Sequence, residues 1–317
     1  MNALRTFSVG LRVLGLAGLL AWLPVQAQDA GKALGGFLNM LKPGQGGGTG
    51  LNIGVGGSNT ATQNINVGDI ASMLNQSLED IDQPKEIEMG RQLAAVLLGA
   101  KPLYPDMALQ RYVNRLGRWI SLQSARPDLP WTFAVLDDAG FNAFAAPGGY
   151  VFITKGLIDH VTDEAELAGI LSHEITHVVG KHHLKALRKT ARAGLLSQLL
   201  ASQVKTNVPG LSSALIGLGR EMYAKGLDQE DELEADRGGV ALATHAGFDP
   251  YGLVAVLQQL RTVSAEDPMF ALSLSTHPPV QVRLDQLEMA MGQRLDGFVS
   301  TKAPITVSQR LARAGNR

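Results

Sequence analysis

The stretch His173-Glu174-Ile175-Thr176-His177 decides the reading of this chain. It is an H-E-x-x-H pattern in a run where Leu167, Ile170, Leu171, Ile175 and Val178 recur at the spacing of one buried helical face. On an α-helix, residues i and i+4 share a face and lie about 6 Å apart along the axis. Two imidazoles so placed can reach one tetrahedral metal ion, and the glutamate between them can take a proton from an attacking water. Asp163 with Glu166 three residues on is a capping-box pattern that starts this helix. Gly180, Lys181, His182 and His183 punctuate its end. Their cationic side chains read as complements to the last carbonyls, too far past His177 to join its face.

A catalytic zinc takes three protein ligands and keeps one position open. The chain has no cysteine, so histidines and carboxylates must hold any metal, and disulfides are excluded. Glu232, about 55 residues past His177 in the pattern Glu232-x-x-x-Asp236, is the expected third ligand. Asp236 lies one turn further on the same face, where it can accept the other ring N–H of a ligand histidine and fix its tautomer. The expected cofactor is thus one Zn²⁺ per chain, held by His173, His177 and Glu232, with Glu174 as the catalytic base. Glu230 and Glu234 fall on other faces and read as a solvated acidic first turn.

The 317 residues carry 28 basic and 29 acidic side chains, a net charge of −1. That balance gives no basic footprint for nucleic acid. Arg5 and Arg12, an apolar run from Val13 to Leu23, and Val25-Gln26-Ala27 before Gln28 form the n-region, h-region and cleavage site of a secretory signal over residues 1–27. The apolar run is short for a membrane span, so the mature chain is expected in the periplasm with no integral span. Residues 28–68 are rich in Gly, Asn and Thr and read as a flexible linker, since they bury too little apolar surface to offset ordering entropy.

The domain itself is expected over 69–292, followed by a loosely held basic tail at 293–317. Helical patterns appear near 69–99 and 105–123. Trp131 to Leu136 and Tyr150 to Thr154 read as strands, either a two-stranded antiparallel pair or part of a small sheet. Gly149, Tyr150, Val151 and Phe152 are the expected substrate-binding edge, to which an extended peptide adds as a strand. The apolar runs Leu195–Val204 and Leu211–Leu218 are each too short to cross a bilayer and read as core helices. Further helices are expected from about 230 to 246, 250 to 264 and 280 to 291. Between the last two lies the stiff loop Ser275-Thr276-His277-Pro278-Pro279.

H-E-x-x-H followed by E-x-x-x-D resembles the gluzincin peptidases. The surrounding wording resembles the HtpX/BepA/Oma-type metallopeptidase family: Asn142-Ala143-Phe144-Ala145, Pro147-Gly148-Gly149-Tyr150, Gly156-Leu157, Glu164 to Leu167, Glu234-Ala235-Asp236-Arg237 and Thr276-His277-Pro278-Pro279, in the family's order over about 80–290. The resemblance implies an α+β, mainly helical, zincin-like fold with a small sheet beside the motif helix. It implies hydrolysis of peptide bonds in polypeptide substrates, here misfolded or misassembled envelope or outer-membrane proteins. It also places His277 near the metal, as a removable latch or a catalytic helper; a purely structural His277 is the plain alternative. Arg283 can salt-bridge nearby acids or touch substrate. The expected transmembrane helices and tetratricopeptide array of some relatives do not appear in the pattern. The alternative function is an envelope assembly factor or chaperone whose zinc site is latched and seldom proteolytic.

Overall fold

The computed structural model describes residues 81–186, 188–189, 226–300 and 303–315. The expected signal segment, the glycine-rich linker and the apolar runs at 195–218 lie outside them. The described chain runs α1 (Gln83–Ala100), α2 (Met107–Ser121), β1 (Thr132–Leu136), β2 (Ala143–Ala146), β3 (Tyr150–Thr154), α3 (Lys155–His160) and α4 (Glu164–Val179). After it come α5 (Gln229–His245), α6 (Gly252–Thr262), α7 (Ala271–Thr276), α8 (Val280–Met291) and α9 (Val307–Gly315). It is a mainly helical α+β fold with one three-stranded sheet, and no described helix is long and apolar enough to cross a membrane.

The motif helix α4 is the centre of the core. Leu167, Ala168, Leu171 and Ile175 are fully buried on it, and α2, α5, α6 and β2 all pack around it. A helix apolar over most of its circumference is stable only when surrounded in this way. Its start is fixed by Asp163, whose carboxylate accepts from the amides of Ala165 and Glu166 at 2.9 Å each. The Glu166 carboxylate then reaches back to Thr162, accepting from its amide and its hydroxyl at 2.7 Å. The reciprocal arm of the capping pattern therefore ends one residue earlier than the usual box.

The sheet order is β1-β3-β2, with β1 parallel and β2 antiparallel to β3. Ala146 and Tyr150 face each other across a turn in which Gly148 and Gly149 take φ of +77° and +99°, values that exclude most side chains. This arrangement corrects the expectation for Gly149, Tyr150, Val151 and Phe152. Strand β3 is hydrogen-bonded on both sides, so it has no free edge to offer a peptide. The outer strand on that side is β2, with which no described strand other than β3 pairs.

A buried Glu86 holds that turn in place. Its carboxylate takes a bidentate pair from Arg126 at 2.8 Å and accepts from the Gly148 amide at 3.2 Å, and Arg126 also donates to the Val178 carbonyl at the end of α4. The tail departs from the expected loose segment. Its helix α9 buries Val307, and Arg310 grips Glu164 at the start of α4 through contacts of 2.7–2.9 Å.

Two contacts position α5. Gly238 and Gly239 lie against α4 so closely that a Cβ on Gly239 would sit 2.9 Å from the His173 amide nitrogen, and one on Gly238 2.6 Å from Thr176 Cγ2. From the other side, α8 presents Arg283, whose Nε and Nη2 donate to the two Asp236 oxygens at 2.8 and 2.6 Å. Both partners are buried. The Asp236 carboxyl is held well below the usual carboxylate range: burial opposes ionisation, but the Arg283 guanidinium and the His173 ring outweigh it.

Gly239→Ala is expected to cost about 1–3 kcal/mol through overpacking at the helix crossing, measured by denaturant unfolding. Arg283→Met removes the guanidinium that balances the buried Asp236, leaving it the His173 ring alone, and is expected to cost about 3–5 kcal/mol in the metal-free protein at neutral pH. A depressed folded pKa stabilises above the unfolded value near about 3.9 and loses that effect as pH falls through the folded value. Without the guanidinium the Asp236 pKa of the variant is higher, so the difference between wild type and Arg283→Met should shrink as pH falls through the variant's Asp236 pKa.

Candidate metal centre

One turn of α4 separates His173 from His177, and both rings point to the side where α5 crosses. Their Nε2 atoms are 2.9 Å apart. Glu232, in the first turns of α5, closes the set: one carboxylate oxygen is 3.5 Å from His173 Nε2 and the other 3.6 Å from His177 Nε2. All three side chains are buried. Glu232 Oε2 has no hydrogen-bond donor although it is removed from water. Desolvating a carboxylate without a donor is expensive.

The donor set fits a divalent cation. Two neutral imidazole lone pairs and a carboxylate converge at separations too long for hydrogen bonds to the carboxylate, with no cysteine to favour a softer ion. Burial pushes the His173 ring down, but the nearby Asp236 and Glu232 carboxylates outweigh it and raise His173 to about 9. Burial and the neighbouring His173 charge push His177 well down.

Behind the ligands, Asp236 Oδ1 is 3.0 Å from His173 Nδ1. A metal-bound His173 would carry its proton on Nδ1, toward Asp236, and its lone pair on Nε2, and Arg283 holds Asp236. Glu174 is buried beside the ligand helix face and lines two adjoining clefts. Burial and the Glu232 charge raise its carboxyl to about 7.

His277 arrives from the end of α7. Its Nδ1–H donates to the Ser273 carbonyl at 2.9 Å, which leaves Nε2 bare and 3.4 Å from Glu232 Oε2. The loop thus brings His277 to the Glu232 side of the donor set, outside the group formed by His173, His177 and Glu232. One cleft runs along Asn142 to Ala145, past Glu174, His177 and Glu232, to Gly226, Thr276 and His277. Residues of the outer strand β2 form its wall. The second cleft lies under Glu174 and is mainly apolar, with Ile170, Leu253, Val256 and Leu257 in its wall and Arg283 at its base.

Sequence spacing brought forward His173, Glu174, His177, Glu232 and Asp236, and the structure gathers all five. It missed His182 and His183. His182 Nδ1 lies 2.9 Å from His177 Nδ1, and the buried His183 ring stands 5.7 Å from that of His177. Lys181, at φ +55°, turns the chain back so that a residue beyond the helix end meets the ligand face. No periodicity signals such a reversal. Glu234 is likewise not simply solvated, since it comes within 3.6 Å of His182 Nε2.

Residues 107–291 match the family described as Peptidase family M48. The chain is 29% identical over 234 residues to the "Beta-barrel assembly-enhancing protease" of Escherichia coli (strain K12), covering 69% of this chain and 48% of that protein. It is 30% identical over 234 residues to the "Putative beta-barrel assembly-enhancing protease" of Vibrio cholerae, covering 69% and 46%. Against the "Mitochondrial metalloendopeptidase OMA1" of Schizosaccharomyces pombe it is 29% identical over 177 residues, covering 56% and 51%. The chain spans about half the length of these curated relatives. With a family match over most of the described domain, the chain belongs to peptidase family M48.

Proposed function

We propose that this chain is a zinc-dependent endopeptidase of the bacterial envelope, acting on unfolded or misassembled polypeptides. The observation that carries the reading is the convergence of His173, His177 and Glu232 around one point, with Glu174 beside it and the outer strand β2 along the same cleft. One relative's name, a β-barrel assembly-enhancing protease, supports an envelope polypeptide as substrate, and the periplasm as its place rests on the signal pattern at 1–27.

His173, His177 and Glu232 would hold the ion, and a bound zinc would supply Lewis acidity at the scissile carbonyl. The chain's own residues do the rest. An extended peptide lies along β2, Asn142 to Ala146, and pairs through its backbone, so recognition depends on unfolded chain more than on sequence. Glu174 takes the proton of the attacking water and returns it to the leaving amine. Asp236 and Arg283 keep His173 in register. His277, with Nδ1 fixed by Ser273 and Nε2 free, acts as a latch that closes the open position until substrate displaces it. The bare Nε2 aimed at Glu232 favours the latch over a structural role.

Glu174→Gln is expected to retain stoichiometric zinc and lose at least about 10²-fold in peptide cleavage. Glu232→Gln is expected to lose zinc. Zinc by atomic emission and cleavage of an unfolded outer-membrane protein test both; equal cleavage by wild type and Glu174→Gln removes Glu174 from the reaction. Because His173 rests at about 9 without an ion, zinc binding should release about one proton at pH 7. Zinc affinity should therefore rise with pH up to about 9. Calorimetry in buffers of different ionisation enthalpy measures the released proton directly.

A further inference from the structure

The two histidine ligands are supported differently. His173 leans on the buried Asp236–Arg283 pair. Among the described residues, the partner of His177 Nδ1 is another imidazole, His182 Nδ1 at 2.9 Å. His182 is fully buried, and its Nε2 has no hydrogen-bond partner. That nitrogen faces Asp231 Oδ1 at 3.7 Å and Glu234 Oε2 at 3.6 Å. The group resembles a second cation site in its composition. Yet Lys185 Nζ already sits 3.1 Å from the same Asp231 oxygen and 4.0 Å from the same Glu234 oxygen. A lysine therefore balances these carboxylates, and the unexplained feature is the contact between the two rings.

Two facing imidazole nitrogens 2.9 Å apart require one to donate and the other to accept. If His177 Nε2 holds a metal, as proposed above, its lone pair is there and its one ring proton is on Nδ1. His182 Nδ1 must then be the acceptor, and the ring proton of His182 is left on Nε2, toward the Asp231 and Glu234 carboxylates. Each assignment forces the next.

We infer that His182 is a positioning residue for the metal ligand His177: its Nδ1 accepts the His177 Nδ1–H and holds that ring with a bare Nε2 toward the metal. The carboxylates favour the tautomer of His182 that can accept. The positive φ of Lys181 is what returns the ring of His182 to this place. A partner of this kind behind a ligand histidine changes metal affinity by roughly 10–100-fold.

The inference rests on the metal reading of His173, His177 and Glu232, and the experiment separates the two. Zinc dissociation constants of the full chain are measured by competition with a chromophoric chelator for wild type, His182→Leu and His182→Asn. Leucine fills the volume without an acceptor, whereas the asparagine Oδ1 can stand where Nδ1 stood. The expected result is a dissociation constant raised roughly 10–100-fold in His182→Leu and largely restored in His182→Asn. Thermal unfolding of the metal-free proteins reports any change in packing separately, and a packing role alone would not be rescued by the smaller, polar asparagine. Wild-type zinc binding with an undiminished His182→Leu overturns the inference, as does an asparagine variant as weak as leucine. A wild type that takes up no zinc overturns the metal reading and this inference with it. If the leucine variant does not fold, ¹⁵N-edited imidazole spectra of zinc-loaded wild type decide the matter. The proton is expected on Nδ1 of His177 and Nε2 of His182; a proton on His182 Nδ1 overturns the assignment.

Discussion

The site depends on how closely α5 can approach α4. Glu232 and Asp236 are one helical turn apart, and they meet His173 and His177 only if the two helices cross almost backbone to backbone. Gly238 and Gly239 permit that crossing by presenting no side chain where His173 and Thr176 stand. Interiors pack too densely for such an approach to be recovered by small shifts elsewhere. Much of the remaining fold can be understood as support for this crossing. Helices α2 and α6 fill the other sides of α4, α8 brings Arg283 under Asp236, and α9 clamps Glu164 at the start of α4.

The cleft follows from the same placement. Because Arg126 ties Glu86 to the Val178 carbonyl while Glu86 holds the Gly148 amide, the β2–β3 turn is fastened to the C-terminal end of the motif helix. The outer strand β2 is thereby held alongside Glu174 and His177. A short strand of mostly small residues makes few side-chain demands on what lies beside it, which suits the unfolded substrate proposed above.

The parts of this arrangement legible in the sequence were those carried by helical periodicity. Two histidines four apart, a carboxylate pair four apart, and an Asp–Glu cap each state a geometry, because an α-helix converts spacing into direction. The misreadings arose where spacing does not. Ala143 to Ala146 carry no alternation of apolar and polar residues, so β2 was not recognised as a strand, and the better-patterned Tyr150 to Thr154 was taken for the edge when it is the centre. His182 was set aside because it lies past the helix stop, and only a left-handed Lys181 brings it back. Arg283 was legible as a charge near the site, but its partner was not, since Asp236 is 47 residues away in sequence.

The charges at the site explain why its supports differ. Asp236 and Arg283 form a pair that is neutral as a whole, so it orients His173 without adding net charge beside the ligands. His182 does the same for His177 from the other side as a neutral ring. The net negative groups left near the donor set are Glu232 and Glu174, both buried. Two such carboxylates repel each other, which is part of why Glu174 is raised to about 7 when no ion lies between them. A divalent cation held by His173, His177 and Glu232 would balance both carboxylates and reverse the sign of the field at Glu174, so that in the reading proposed above Glu174 would be ionised as the base.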